Sequence, residues 1–191
     1  EELKPDSLKS KNPQPIVLDR FGFKRDVVGY LNRTRDHLYV VTVATKVVAQ
    51  ITSGDFDDSG AAWSPDGKQL VFASERSVAD ADRANNSDLY VVNAEPNASP
   101  RQLTTWRGPD RGAVWSPDGT RIAYLQASEP QLSAYTQNTI AVVPASGGAP
   151  TLIAASLDRD VEELRWSQDG KTLYFLMADD RTGPFAQVSL E

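Results

Sequence analysis

The pentapeptide Trp63-Ser64-Pro65-Asp66-Gly67 constrains this chain more than any other feature, because it recurs. Trp115-Ser116-Pro117-Asp118-Gly119 repeats it letter for letter, and Trp166-Ser167-Gln168-Asp169-Gly170 repeats it with Gln for Pro. The three tryptophans stand 52 and 51 residues apart. A fixed period of this size is the mark of a repeat architecture.

Each copy is followed by a short alternating apolar run: Gln69 to Ala73, Arg121 to Leu125 and Thr172 to Leu176. These runs are rich in β-branched and aromatic residues and are bounded by turn residues, so they read as strands. Pro presets φ at the first corner, Asp bonds its own backbone, and Gly takes the position that needs positive φ. The residues before each motif then form the first strand of a hairpin. A third strand follows in each unit, at His37 to Val41, Asp88 to Val92 and Thr139 to Val143. A turn leads from it to a fourth, at Ala49 to Thr52, Arg101 to Thr104 and Thr151 to Ala154. Four short antiparallel strands per period of about 51 residues predict β-propeller blades. The fold class expected is all-β, a partial β-propeller. The Trp before each turn is expected to pack between neighbouring blades, since a ligand-stacking residue has no reason to recur in every period.

Counting along 191 residues gives about three to four blades, fewer than most closed rings hold. Two are complete, with a half-blade or more before them and an incomplete blade after. The chain begins with Glu rather than Met and shows no signal peptide, so a piece of something longer is expected. Open strand edges invite pairing, so either self-association through those edges or a remainder that covers them is expected. Residues 1–15, with Lys4-Pro5 and Asn12-Pro13-Gln14-Pro15, read as a linker or extended lead-in, and 16–191 as the propeller portion. Ile16 to Leu31 alternates like a strand without the motif; it is either a degenerate half-blade or an excursion inserted before the strands of 37–52.

Net charge is −6, with +3 on residues 1–35 and −9 on the rest, which argues against a nucleic-acid surface. The basic start reads as a solvated linker in preference to a partner-binding arm. No apolar run approaches the roughly 18 residues of a membrane helix. There is no cysteine, so disulfides, thiol catalysis and cysteine metal sites are excluded. The compartment stays open between bacterial cytoplasm and periplasm.

The chain contains no Gly-x-Ser-x-Gly, P-loop, Gly-x-Gly-x-x-Gly or His-Glu-x-x-His. The single histidine, His37, reads as an edge or surface residue. Two acidic loops, one with Asp55, Asp57 and Asp58 and one with Asp80, Asp82, Asn86 and Asp88, lack EF-hand spacing and read as solvated rather than as calcium sites. Glu162-Glu163 stands just before an inner strand. A carboxylate pair facing a propeller channel has the chemistry to hold an amino terminus, but the preferred reading is one Glu alternating outward and the other solvated. Asn32, Asn85 and Asn97 open glycosylation triplets, a pattern short enough to arise by chance. No catalytic, cofactor-binding or metal-binding residue is assigned, and no cofactor is expected.

Several segments together resemble a known family. They are Asp19-Arg20-Phe21, Phe23-Lys24-Arg25-Asp26 and Gly29-Tyr30-Leu31, then His37-Leu38-Tyr39-Val40, Gln50-Ile51-Thr52, Gly54-Asp55, Asp57-Asp58 and Trp63 to Lys68. The stretch resembles the N-terminal, WD40-like propeller of bacterial prolyl-oligopeptidase-family serine peptidases, in the dipeptidyl aminopeptidase and acylaminoacyl-peptidase branch. The Trp-Ser-Pro-Asp-Gly motif is shared with the periplasmic propeller of the Tol-Pal system; residues 19–31 tilt the resemblance to the peptidases. It implies a non-catalytic propeller that gates and positions peptide substrates for an α/β-hydrolase domain, which carries a Ser-Asp-His triad and is absent here. The long loops 76–87 and 127–138 are candidate walls. The implied partners are that hydrolase domain and a peptide, with no nucleic acid and no membrane. The alternative function is a protein-binding scaffold propeller of the Tol-Pal type.

Overall fold

In the computed structural model, which describes residues 15–31, 34–80, 82–83, 86–128, 136–179 and 182–190, the repeated motif is a hydrogen-bonded turn. The Ser64 hydroxyl donates to Asp66 Oδ1 at 2.6 Å and accepts from the Gln69 amide at 2.9 Å, while the Lys68 amide donates to the same Asp66 oxygen. Ser116 with Asp118 and Ser167 with Asp169 repeat the arrangement. Gly67, Gly119 and Gly170 all sit at φ near +70°, the left-handed position that favours glycine. Gln168 replaces Pro without changing the turn, because proline supplies only a preset φ and no hydrogen bond. The serine hydroxyl, aided by the backbone amide, holds the Asp66 and Asp169 carboxyls below their ordinary range and Asp118 at about 2.

The described residues fall into two compact units, divided between residues 33 and 34. In the first, β1 (Lys24–Arg25) and β2 (Gly29–Tyr30) form a small hairpin, and Phe23 stacks on Tyr30 with centroids 6.5 Å apart. These strands pair only with each other among the described residues. Ile16 to Leu18, despite its alternation, is not a strand.

The second unit is the partial propeller. Its first sheet has two strands, β3 (Tyr39–Thr42) and β4 (Val47–Gln50). The next has four in sequence order: β5 (Asp58–Trp63), β6 (Gln69–Ser74), β7 (Asp88–Asn93) and β8 (Arg101–Gln102). The third repeats this with β9 (Asp110–Trp115), β10 (Arg121–Ala127), β11 (Asn138–Pro144) and β12 (Thr151–Ile153). The fourth has β13 (Val161–Trp166), β14 (Thr172–Met177) and β15 (Phe185–Ser189). All pairings are antiparallel and no described residue is helical, so no helix is long and apolar enough to cross a membrane. We number the four sheets blades 1 to 4.

Alternation along the central strands builds two interfaces from each strand, as a sheet buried on both faces requires. Leu70 and Phe72 of β6 face blade 1, where Ile51 joins Tyr90 and Val92. Val71 and Ala73 face blade 3, packing with Leu89, Ile122 and Tyr124. Ala123 and Leu125 of β10 face blade 4, with Leu164, Leu173 and Phe175. Each fully buried aliphatic or aromatic side chain contributes about 1.5–3 kcal/mol, so the blade-to-blade clusters dominate cohesion.

The repeated tryptophan links blades as the sequence leads one to expect. Trp115 Nε1 donates to the Ala62 carbonyl at 3.3 Å, and Trp166 Nε1 to the Val114 carbonyl at 3.1 Å. Trp63 is the exception. Blade 1 has no inner strand among the described residues, and Trp63 stays 49% exposed.

Candidate functional site

The innermost strand of each of blades 2 to 4 carries a bulge three residues before its tryptophan. Pairing slips between Ser59 and Ala62 in β5, between Arg111 and Val114 in β9, and between Glu162 and Arg165 in β13. The extra residue adopts left-handed backbone in all three: Gly60 at φ 61°, Gly112 at φ 63° and Glu163 at φ 56°. A bulge of this kind suits glycine, which has no Cβ to meet the following carbonyl. The third blade to carry it, blade 4, places a glutamate there.

The three bulged strands converge on a cleft of about 670 Å³, lined among others by Gly60, Ala62, Arg111, Gly112, Glu163 and Arg165. Positions that are Ser59, Gly60 and Ala62 in blade 2 become Glu162, Glu163 and Arg165 in blade 4, so the charge in the cleft is concentrated on one strand. Glu163 Oε2 lies 3.4 Å from Arg165 Nη2, and both side chains are mostly exposed. Arg165 also donates to the Leu164 carbonyl at 2.8 Å. Across the cleft, Arg111 donates to Asn138 Oδ1 at 3.0 Å. Asn138 is itself fixed by Asp160, which accepts from its amide at 2.8 Å and its side chain at 2.7 Å. One wall of the cleft is therefore rigidly positioned, and the other carries a loosely paired carboxylate.

The structure separates the residues singled out from sequence. Glu162 and Glu163 are both exposed and both line the cleft. His37 Nδ1 lies 3.3 Å from Asp58 Oδ2, and Arg76 donates to Asp58 Oδ1 at 2.7 Å, so the histidine helps tie blade 1 to blade 2. Arg76 also stacks over Phe56, Phe72 and Tyr90. The two acidic loops meet at Arg35, whose guanidinium reaches Asp55, Asp57 and Asp82. A fixed cation already sits where a metal reading would put an ion, and no group of three or more metal-ligating side chains forms among the described residues. Asn97 is exposed in a turn at φ 61°. Asn32 and Asn85 lie outside the described residues, as do parts of the loops 76–87 and 127–138.

Reading the sequence for motifs missed Arg111, Arg165 and the bulge. The signal was present as Gly60-x-x-Trp63, Gly112-x-x-Trp115 and Glu163-x-x-Trp166. It also missed Asp110, which is fully buried at the seam of blades 2 and 3. Asp58, the matching residue of blade 2, has Arg76; Ser128 stands at the corresponding place in blade 3. Asp110 Oδ1 accepts a long 3.4 Å contact from Gln126 Nε2, and its Oδ2 has no hydrogen-bond partner among the described residues. Burial pushes its carboxyl up to about 7, against weaker opposing hydrogen bonds from Thr104 and Gln126.

The chain is homologous to dipeptidyl-peptidase 5: it is 33% identical over 141 residues to the enzyme of Trichophyton schoenleinii and 32% identical over 143 residues to that of Arthroderma otae. In each case the match takes in 69% of this chain and 19% of the relative, so the chain spans about a fifth of the curated relatives it matches. Among solved structures, TolB from Agrobacterium tumefaciens aligns with TM-score 0.58 at 22% identity, over 78% of this chain and 48% of that one. The tricorn protease aligns with TM-score 0.59 at 17% identity, over 84% of this chain and 16% of that one. These likenesses show the propeller fold. No protein-family model matches the chain.

Proposed function

We propose that this chain is the propeller portion of a serine peptidase of the prolyl-oligopeptidase family, and that it admits and positions peptide substrates for an α/β-hydrolase domain elsewhere in the parent protein. The homology to dipeptidyl-peptidase 5 carries this reading. The cleft supports it: inner strands bearing guanidinium and carboxylate groups offer polar contacts to an extended peptide. The chain supplies no nucleophile motif of its own, so its part is steric selection and placement. The partners in this reading are the hydrolase domain and the peptide. The edge of β3 is where a further strand pairs, from the parent or from a second copy.

Size selection is the test. The parent enzyme is expected to hydrolyse short peptides and to leave a folded protein of the same cleavable sequence intact until that protein is denatured. Equal cleavage of native and denatured substrate would overturn the gating role.

A further inference from the structure

Among the described residues, three buried side-chain polar atoms lack a hydrogen-bond partner: Asn86 Oδ1, Asp88 Oδ1 and Asp110 Oδ2. All three are acceptors, and all belong to the seam between blades 2 and 3. Asp110 lies beside the segment that carries the other two: its amide donates to the Ser87 carbonyl at 2.8 Å, and the Ser87 hydroxyl donates to the Asp110 carbonyl at 3.1 Å. Asp88 is 2% exposed and Asp110 0%. Buried carboxylates are costly unless an opposite charge or a metal ion meets them.

The preceding seam shows what is missing. There the same backbone bond joins the Asp58 amide to the Asp36 carbonyl at 2.8 Å, so His37 and Asp58 are the counterparts of Asp88 and Asp110. His37 Nδ1 stands 3.3 Å from Asp58 Oδ2, and Arg76 donates to the other Asp58 oxygen. Between blades 2 and 3, Asp88 replaces the histidine and Ser128 the arginine. Two carboxylates thus stand where the earlier seam has a carboxylate, an imidazole and a guanidinium. The hydrogen bonds that remain go to the other oxygens. Ser77 and Gln102 donate to Asp88 Oδ2 at 2.6 and 2.9 Å, and Gln126 approaches Asp110 Oδ1. Asn86 is oriented through its amide nitrogen, which donates to the Trp106 carbonyl at 3.3 Å. Each group is held in place with one oxygen free, as the outer partners of metal-ligating side chains hold them.

We propose that this seam binds one divalent cation of the calcium class, ligated by the carboxylates of Asp88 and Asp110 and the amide oxygen of Asn86. Oxygen donors, two of them charged, suit a hard divalent ion and balance its charge. Asn86 is half-buried, so water completes the coordination from that side. The acidic loop of residues 80–88 divides accordingly: Asp82 reaches Arg35, while Asn86 and Asp88 turn into the seam. The ion ties the start of β7 to the start of β9, the task His37 performs one blade earlier.

The test is calorimetric titration of the chelator-stripped 191-residue chain with calcium chloride at pH 7.5, with melting temperature as the second readout. One calcium per chain is expected, with magnesium about tenfold weaker because it gives up its waters reluctantly. Calcium at about a hundredfold above its dissociation constant is expected to raise the melting temperature by roughly 5–10 °C. Asp110→Asn is expected to abolish binding. Ser128→Arg rebuilds the guanidinium of the earlier seam, so it is expected to abolish binding as well while melting no lower than the parent chain in chelator. Absence of calcium binding, binding that survives both variants, or a melting shift matched by sodium chloride at equal ionic strength overturns the site.

Discussion

Trp166 Nε1 donates to the backbone carbonyl of Val114, 3.1 Å away in the preceding blade. The bond ties the last residue of one inner strand to the strand before it, and Trp115 repeats it toward Ala62. Arg121 lies over the Trp166 ring, 4.9 Å from its centroid, and donates to the Gly170 carbonyl at 2.7 Å, so the same seam is latched twice. In blades 3 and 4 the tryptophan is thus the rigid donor that reaches across to the preceding blade.

Trp166→Phe and Trp115→Phe are therefore expected to destabilise the chain by about 1–2 kcal/mol each, the cost of leaving a carbonyl without its donor together with some lost packing. Trp63→Phe, at a half-exposed site with no preceding inner strand among the described residues, is expected to cost under about 0.5 kcal/mol. Urea unfolding of the three variants measures the contrast. Equal losses at all three positions would contradict the inter-blade role.

The turn makes a second prediction. Ser116 is fully buried, and its hydroxyl accepts from the Arg121 amide at 3.0 Å while donating to Asp118. Ser116→Ala strands that amide and is expected to cost about 1–2 kcal/mol. Pro117→Gln, which copies the natural Gln168 turn, is expected to be close to neutral. Thermal unfolding of the pair separates the hydrogen-bonded frame from the proline.

Asp110 sets a pH dependence. Its folded carboxyl is raised from 3.8 to about 7 by burial. The native state therefore binds the proton more tightly than the unfolded state. Its contribution favours folding below pH 4, declines as pH rises through 4 to 7, and is constant above that. The groups facing it are Asp88, raised in the same direction mainly by burial, and the neutral Tyr124 and Gln126. The full span is on the order of 4 kcal/mol. Asp110→Asn, which keeps shape without the charge, is expected to flatten this slope in denaturant titrations at pH 4.5 and 7.5. An unchanged slope would show that the carboxyl is solvated.

Asp118 acts in the opposite sense at lower pH. Its carboxyl is held down to about 2, first by Ser116 and then by the Thr120 amide and hydroxyl. The stabilisation is present above the ordinary carboxylate range near 4 and is lost as pH falls toward 2. Asp118→Asn is expected to remove that acid limb while leaving the limb between pH 4 and 7 in place, a separation readable in the same titration series extended to pH 2.5.

Much of this architecture is legible from three copies of one pentapeptide. The period gives the four-strand unit, and alternation such as Leu70-Val71-Phe72-Ala73 gives a strand buried on both faces. Residues 16–18 misled because alternation alone does not supply a pairing partner. The cleft was less legible for a physical reason: its shape comes from bulges, which shift register by one residue and leave no mark in composition. Gly60 and Gly112 read as the first residues of a hairpin strand until Glu163 appears in the same left-handed backbone state. Asp110 looks like Asp58 in sequence, and only the absence of an Arg76 counterpart at Ser128 separates a paired carboxylate from an unpaired one.

Labelling of the full-length parent with a fluorophosphonate serine probe tests the central claim most directly. The account predicts stoichiometric labelling of one serine outside these 191 residues, in a protein of roughly 600–700 residues by domain-size arithmetic, and no labelling of this chain alone. A parent little larger than a closed propeller that takes up no probe would contradict it and leave the protein-binding scaffold in its place.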